Sequence, residues 1–367
     1  MTPIRLISFS QSTLIKARQQ LNAADRAETP CRVSTVRWQG LMLGLGSFIA
    51  LATQSHALET VSPTYAATAL TVSGQSTSQP ATTYLALQVV QPALSAGVAE
   101  SISANTFSDS AAAWSADQFN GAAGAHFVEF DSGLMADIEA TSNDTLTLAG
   151  DIEGLVQPGE AYRVRPHSTL DSVFGADNAA GLTAASNPSD ADHIMLFNVQ
   201  TQGTDIYWFS TIPGFEGWRN LLMQPAGSQT VYPEQGLMIQ RKSPEDLLIA
   251  QNGQVKTGTT LVPIQADYNY LGTLKTRTTL TLEQLGLYTG DSATGIAEST
   301  NPTDADNLLI IDANGATQLY WYSAIGGFEG WRDVLMNPVG TTAIAPGSAF
   351  FLNRKSDTGF FWEIPAE

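Results

Sequence analysis

A segment written twice constrains this chain more than anything else in it. Tyr207–Gly227 reads YWFSTIPGFEGWRNLLMQPAG, and Tyr320–Gly340 reads YWYSAIGGFEGWRDVLMNPVG, with 14 of the 21 positions identical. Identity of that length marks an internal duplication, so one small fold must serve both copies. The likeness extends outward. Thr169-Leu170-Asp171 is answered by Thr281-Leu282-Glu283, and Asn187-Pro188-Ser189-Asp190-Ala191-Asp192 by Asn301-Pro302-Thr303-Asp304-Ala305-Asp306. A late segment ending in Arg241-Lys242 returns with Arg354-Lys355. The offset falls from 114 at Asn187 to 113 at Tyr207, so one residue is lost between the first two strands, where a loop tolerates it.

Within each copy, short apolar runs alternate with turn formers, which reads as strands rather than helices. The strands expected are Ile194–Val199 and Leu308–Ile311, those ending on Tyr207-Trp208-Phe209 and Tyr320-Trp321-Tyr322, and the late segments at Leu237 and Ala349. Residues 251–280 bridge the repeats and hold one further strand at Leu261–Ile264. No capped, periodic helix stands out apart from a turn at Leu282–Leu287. Upstream, Tyr84–Val90, Val98–Ile102, His126–Phe130, Thr145–Leu148 and Ala161–Val164 are strand-like and separated by turn dipeptides. Leu58 to about Pro80 is rich in Ser, Thr and Ala and reads as a loose arm.

The N-terminus has the form of a targeting segment. Six basic residues precede an apolar run at Gly40–Thr53, and Ser55-His56-Ala57 has the small-x-small form of a cleavage site. The run is too short for an ordinary membrane-spanning helix. Cleavage would remove Cys31, the only cysteine, and leave no disulfide or thiol chemistry. The expected organisation is therefore a signal peptide over 1–57, a β module over 58–168, repeat one with its bridge over 169–280, and repeat two over 281–367. The fold class expected is all-β, as tandem small sandwich or barrel modules. A net charge of −18 sets the protein against nucleic acid and anionic membrane as partners.

The pattern resembles an uncharacterised family of secreted proteins from verrucomicrobial bacteria. The likeness runs from about Thr82 to the end. It rests on Glu100–Thr106 (ESISANT), Trp114–Phe119 (WSADQF), Val128–Gly133 (VEFDSG), Asp144–Leu148 (DTLTL) and the paired modules, each with an aromatic strand, a GWR turn and a strand ending in Arg-Lys. The resemblance implies export and a modular β architecture. It implies no chemistry.

Two constellations are candidates for binding. Tyr207, Trp208, Phe215 and Trp218, repeated as Tyr320, Trp321, Phe328 and Trp331, could present aromatic faces to sugar rings, with Arg219 and Arg332 donating to hydroxyls or carboxylates and Glu216 and Glu329 accepting from hydroxyls. The same residues equally suit a core, with Arg over Trp as a cation–π pair, and that reading is favoured because small β modules need such bulk inside. Asp190 and Asp192, with Asp304 and Asp306, offer oxygen ligands at a spacing that suits calcium. Asn-Pro-Ser/Thr-Asp is also ordinary turn chemistry, and the turn reading is favoured there. The four histidines are scattered, and Asp357-Thr358-Gly359 has no second carboxylate at the matching position of repeat one. The functional expectation is a non-enzymatic structural or adhesive protein that is secreted, periplasmic or at the cell surface, with an extracellular glycan or surface protein as partner. A carbohydrate-binding protein and an unrecognised secreted hydrolase are the alternatives.

Overall fold

A computed structural model describes residues 63–75, 81–120, 125–312 and 315–367. The expected signal peptide and Cys31 lie outside the described residues. The described chain is almost entirely β. It opens with β1 (Tyr65–Val72) and β2 (Ala81–Ala86), and both leave at once to pair with distant strands.

Next come β3 (Ser95–Ala99), β4 (Ser101–Ser103), β5 (Thr106–Ser108), β6 (His126–Phe130), β7 (Met135–Thr141), β8 (Thr145–Leu148) and β9 (Glu160–Pro166). They form one sheet in the order β3-β9-β6-β7-β8-β5-β4. Strands β3 and β4 are halves of one segment that turns at Glu100; the first half pairs with β9 and the second with β5, so the sheet wraps into a nearly closed barrel. Side-chain alternation fills it. Leu146 and Leu148 of the Thr-Leu-Thr-Leu strand point inward with Phe107, Phe130, Val164 and Tyr162. The Trp114–Phe119 segment is a turn, and it drops Trp114 and Phe119 into the same core. Gly97 is required there, because a Cβ would collide with the Tyr162–Asp109 hydrogen bond.

The remaining elements of repeat one are β10 (Ser168–Thr169), α1 (Leu170–Phe174), β11 (His193–Asn198), β12 (Gly203–Ser210), β13 (Gly217–Asn220), β14 (Thr230–Val231), β15 (Gly236–Arg241) and β16 (Leu247–Gln254). Its main sheet runs β13-β12-β11-β15-β2, and β1 pairs with β16 along all eight of its residues. Repeat two consists of β17 (Thr260–Ile264), β18 (Asp267–Gly272), β19 (Leu280–Thr281), β20 (Asn307–Ile311), β21 (Thr317–Ser323), β22 (Gly330–Asp333), β23 (Ala343–Ile344), β24 (Ala349–Arg354) and β25 (Phe360–Ile364). Its sheet order, β18-β24-β20-β21-β22 with β17 on β25, repeats that of repeat one strand for strand.

Strand pairing thus draws the unit boundaries elsewhere than the sequence spacing does. Each repeat begins two strands earlier than the visible likeness, and the barrel is inserted between β2 and β10 of repeat one. The segment read as a loose arm contains β1, which buries only Leu70 and Val72 and so gives little apolar signal. The bridge over 251–280 supplies β17 and β18 to repeat two. The helical turn α1 was not foreseen. Thr169 caps it, with its side chain and that of Ser172 bonding reciprocally to backbone N–H groups.

The repeats face each other about a pseudo-twofold axis. Ala86 donates its N–H to the Gly347 carbonyl at 2.9 Å, and the equivalent Gly272 donates to the Glu234 carbonyl at 2.8 Å. Tyr270 and Phe351, cross-strand neighbours of repeat two, stack at 4.3 Å and meet Tyr84 and Phe197 of repeat one edge-on at 6.5 and 5.5 Å, with Met238 beside them. A second contact ties in the barrel. Buried Glu129 accepts from Arg165 at 2.6 Å and from Lys256 at 2.7 Å, while Arg165 also reaches the carbonyl of Gln91 and the side chain of Gln254. Burial raises the Glu129 carboxyl, and the two cations outweigh it and hold it below the usual carboxylate range.

Candidate functional site

The repeated turn is built by a hairpin in which Trp208 opposes Arg219 and Phe209 opposes Trp218. Trp218 lies against Phe174 and the edge of Phe209, and its indole N–H donates to the Gly175 carbonyl at 2.8 Å. Tyr207, Trp208, Tyr320, Trp321 and Trp331 are likewise buried. Burial, with the charge of Asp205 behind it, pushes the Tyr207 phenol up to about 12. The two arginines serve their own loops. Arg219 donates to the carbonyls of Phe215, Glu216 and Met223, and Arg332 repeats the set on Phe328, Glu329 and Met336. Each guanidinium lies over the Phe of its loop at 5.7 Å, so the cation–π partner is Phe rather than Trp. Phe215, Phe328, Glu216 and Glu329 apart, the residues expected as a binding platform are therefore brought together with their faces turned into the fold.

Other side chains of the same turns stand out in solvent. Phe215 is 49% exposed and Leu222 79%, and the equivalent Phe328 and Leu335 are 50% and 78% exposed. Leu221 and Val334 accompany them. The tips are tightly specified. Met223 and Met336 adopt left-handed backbone at φ 62° and 66°. The turns holding them are closed by Asn220 accepting from Leu222 N–H and Gln224 N–H, and by Asp333 accepting from Leu335 N–H and Asn337 N–H. The sequence shows the repeated bulk as one unit, and the division between buried indoles and exposed tips is visible only in the structure.

The acidic loops divide in a similar way. Asp192 is buried and accepts from Arg241 Nη1 at 2.9 Å, Thr183 N–H at 2.7 Å and Lys242 N–H at 2.7 Å. Asp306 accepts from Arg354 Nη1 at 2.6 Å, Ala297 N–H at 2.8 Å and Lys355 N–H at 2.7 Å. These carboxylates fasten the loop to the Arg-Lys end of the late strand, which explains why both motifs recur together. Asp190 and Asp304 are exposed at the turn, each beside a hydroxyl of the preceding residue. Among the described residues no group of three or more His, Cys, Asp or Glu is placed to hold a metal ion. His193 and its counterpart Asn307 make the same bond, to the carbonyls of Pro188 and Pro302, so the exchange preserves a loop contact.

One cluster carries no sequence signal, because its members come from separate segments. Asp137 of β7 meets His167 Nε2 at 2.8 Å and accepts from the Tyr232 hydroxyl at 3.1 Å. His167 lies between the rings of Phe127 and Tyr232. Its Nδ1 and the Oε2 of Glu234 are sealed from solvent with no hydrogen-bond partner. Burial raises the Glu234 carboxyl and, reinforced by Asp137, the Tyr232 phenol. The position is the seam where the barrel joins repeat one. No family model, curated protein or solved structure matches the chain. Among the described residues no helix is long and apolar enough to cross a membrane.

Proposed function

We propose that the chain is an exported, non-enzymatic structural or adhesive protein, acting at the cell surface or outside it through the apolar tips of its two repeats. The observation that carries this reading is the matched exposure of Phe215 and Leu222 with Phe328 and Leu335. Burying the Trp side chains does not require large apolar groups in solvent beside them, and exposed apolar groups on rigid turns suit contact with another surface. The arginine stitching keeps the tips ordered before contact, which lowers the entropy lost on binding. Two equivalent tips permit two-point attachment, which strengthens a weak single contact. The acidic balance disfavours polyanions as partners. A neutral polysaccharide or a surface protein suits the tips better.

The test uses residues 58–367 with either tip altered (Phe215→Ser with Leu222→Ser, or Phe328→Ser with Leu335→Ser) or both. Retention is measured by affinity electrophoresis in neutral polysaccharides and by adsorption to bacterial surfaces. Single-tip variants lose part of the retention, and the double-tip variant loses all of it while unfolding as the parent does. A double-tip variant retained like the parent overturns the proposal. Trp218→Ala is the contrasting control, expected to cost ~3–5 kcal/mol of stability through the cavity it leaves.

A further inference from the structure

We propose that β1 is the contact strand of a dimer, pairing antiparallel along its free edge with β1 of a second copy of this chain. The two repeats treat the same two-stranded ribbon differently. In repeat two the ribbon β17–β25 is covered by the barrel. The Leu261 N–H donates to the Gly133 carbonyl at 2.9 Å, and Leu261 and Phe361 pack against the barrel core. Leu261 stands opposite Glu363 in that ribbon, as Ala69 stands opposite Ala250 in the ribbon β1–β16 of repeat one. Ala69 and Leu248 are therefore the counterparts of Leu261 and Phe361. Ala69 is exposed, and Leu248 is 66% exposed. The edge that repeat two closes with the barrel is left open in repeat one.

Backbone bonding shows which groups of β1 are free to pair. Val255 donates its N–H to the Thr64 carbonyl at 2.8 Å, while Gln254 exchanges both its backbone bonds with Val90. Even-numbered residues of β1 therefore face β16, and Tyr65, Ala67, Ala69 and Thr71 turn their N–H and C=O groups away from it. Among the described residues β1 has no strand partner other than β16. Open edges are ordinarily guarded by Lys, Pro or a bulge. Strand β1 has none of these, and its register on β16 is unbroken. Two features suit this edge to a second copy. The chain carries a net charge of −18, so contact between copies is least opposed where charge is absent, and neither β1 nor β16 holds a charged residue. Identical strands pairing antiparallel are also self-complementary about a twofold axis. An axis at Thr68 sets Ala67 against the partner's Ala69 and Tyr65 against the partner's Thr71, so outward-facing residues meet only one another. The contact is one strand wide and falls short of the ~800 Å² per partner of a stable complex, so the dimer is weak and forms at high local concentration.

The experiment is sedimentation velocity of residues 58–367 from ~1 µM to ~1 mM, with urea unfolding of each variant as the check on its fold. The parent's sedimentation coefficient rises with concentration towards that of a dimer. Ala69→Pro removes one outward N–H from each copy and none from the ladder with β16, a position where an edge strand tolerates proline. It weakens association about thirtyfold, the worth of two ordinary hydrogen bonds. Should proline unsettle the ribbon, Ala69→Glu weakens association by adding like charge at the same place. The variant with both tips altered (Phe215→Ser, Leu222→Ser, Phe328→Ser and Leu335→Ser) associates as the parent does, because the tips are a separate surface. A parent that stays monomeric throughout overturns the proposal and leaves the edge to an extended segment of another protein. Folded Ala69→Pro and Ala69→Glu variants that associate like the parent overturn it as well. So does association lost in the tip variant, which would assign the contact to the tips.

Discussion

Replacing Asp192 by Ala separates a structural carboxylate from a cation ligand. The side chain is fully enclosed, and it holds Arg241 and two backbone N–H groups, those of Thr183 and Lys242. Removing one partner of a buried ion pair costs ~3–5 kcal/mol, because the other charge stays buried and unpaired. Arg241 is poorly placed to recover, since its Nε already lacks a partner. Arg354 in repeat two also donates to the carbonyls of Ser292, Gly295 and Thr358. Asp192→Ala is therefore expected to cost more than Asp306→Ala. A domain of this size is stable by ~5–15 kcal/mol, so the loss shifts the urea midpoint plainly. The assay is tryptophan fluorescence of residues 58–367 in urea, with and without calcium. Asp190→Ala, which alters an exposed turn residue, is expected within ~0.5 kcal/mol of the parent. Two results would refute the reasoning: a loss below ~1 kcal/mol for Asp192→Ala, since a severed buried pair cannot be so cheap, or equal, calcium-dependent losses for Asp190→Ala and Asp192→Ala.

Gly272→Val drives a side chain into Ala86 across the pseudo-twofold axis and should cost ~1–3 kcal/mol, whereas Gly258→Ala, facing open space, should be neutral; thermal midpoints decide between them. Glu129→Gln should destabilise the barrel seam at neutral pH, as followed by urea unfolding. Because the folded Glu129 carboxyl is depressed, the difference from the parent should shrink as pH falls through that folded value; a pH-independent difference would contradict the assignment. The Tyr207 phenol, raised to about 12, should remain largely unionised at pH 11, which ultraviolet difference absorbance of the parent against Tyr207→Phe can follow.

Legibility in the sequence followed how much of each segment had to be apolar. Strands such as His126–Phe130 and Thr145–Leu148 bury side chains at most or alternate positions and were bounded to the residue. Strand β1 is half solvent-facing Ala and Thr, and β7 carries Asp137 and Glu139 through a bulge at Ile138/Ala140, so neither advertises itself. The duplication was plain where the turn demands particular residues. It vanished over β1 and β17, which share only the need for a few apolar groups on one face.

By itself the sequence determined an all-β chain with two copies of one module, because repetition and strand periodicity are local properties. It also determined that Trp218 and Arg219 belong to one repeated segment, which the structure makes strand β13 rather than a turn. Only the tertiary structure decided that the indoles face inward while Phe215 and Leu222 face water, since the side a residue takes depends on which sheet covers it. The same holds for the barrel's insertion between β2 and β10 and for the meeting of Asp137, His167 and Tyr232. Those contacts join segments far apart in the chain, and no local pattern encodes which distant strands will pair.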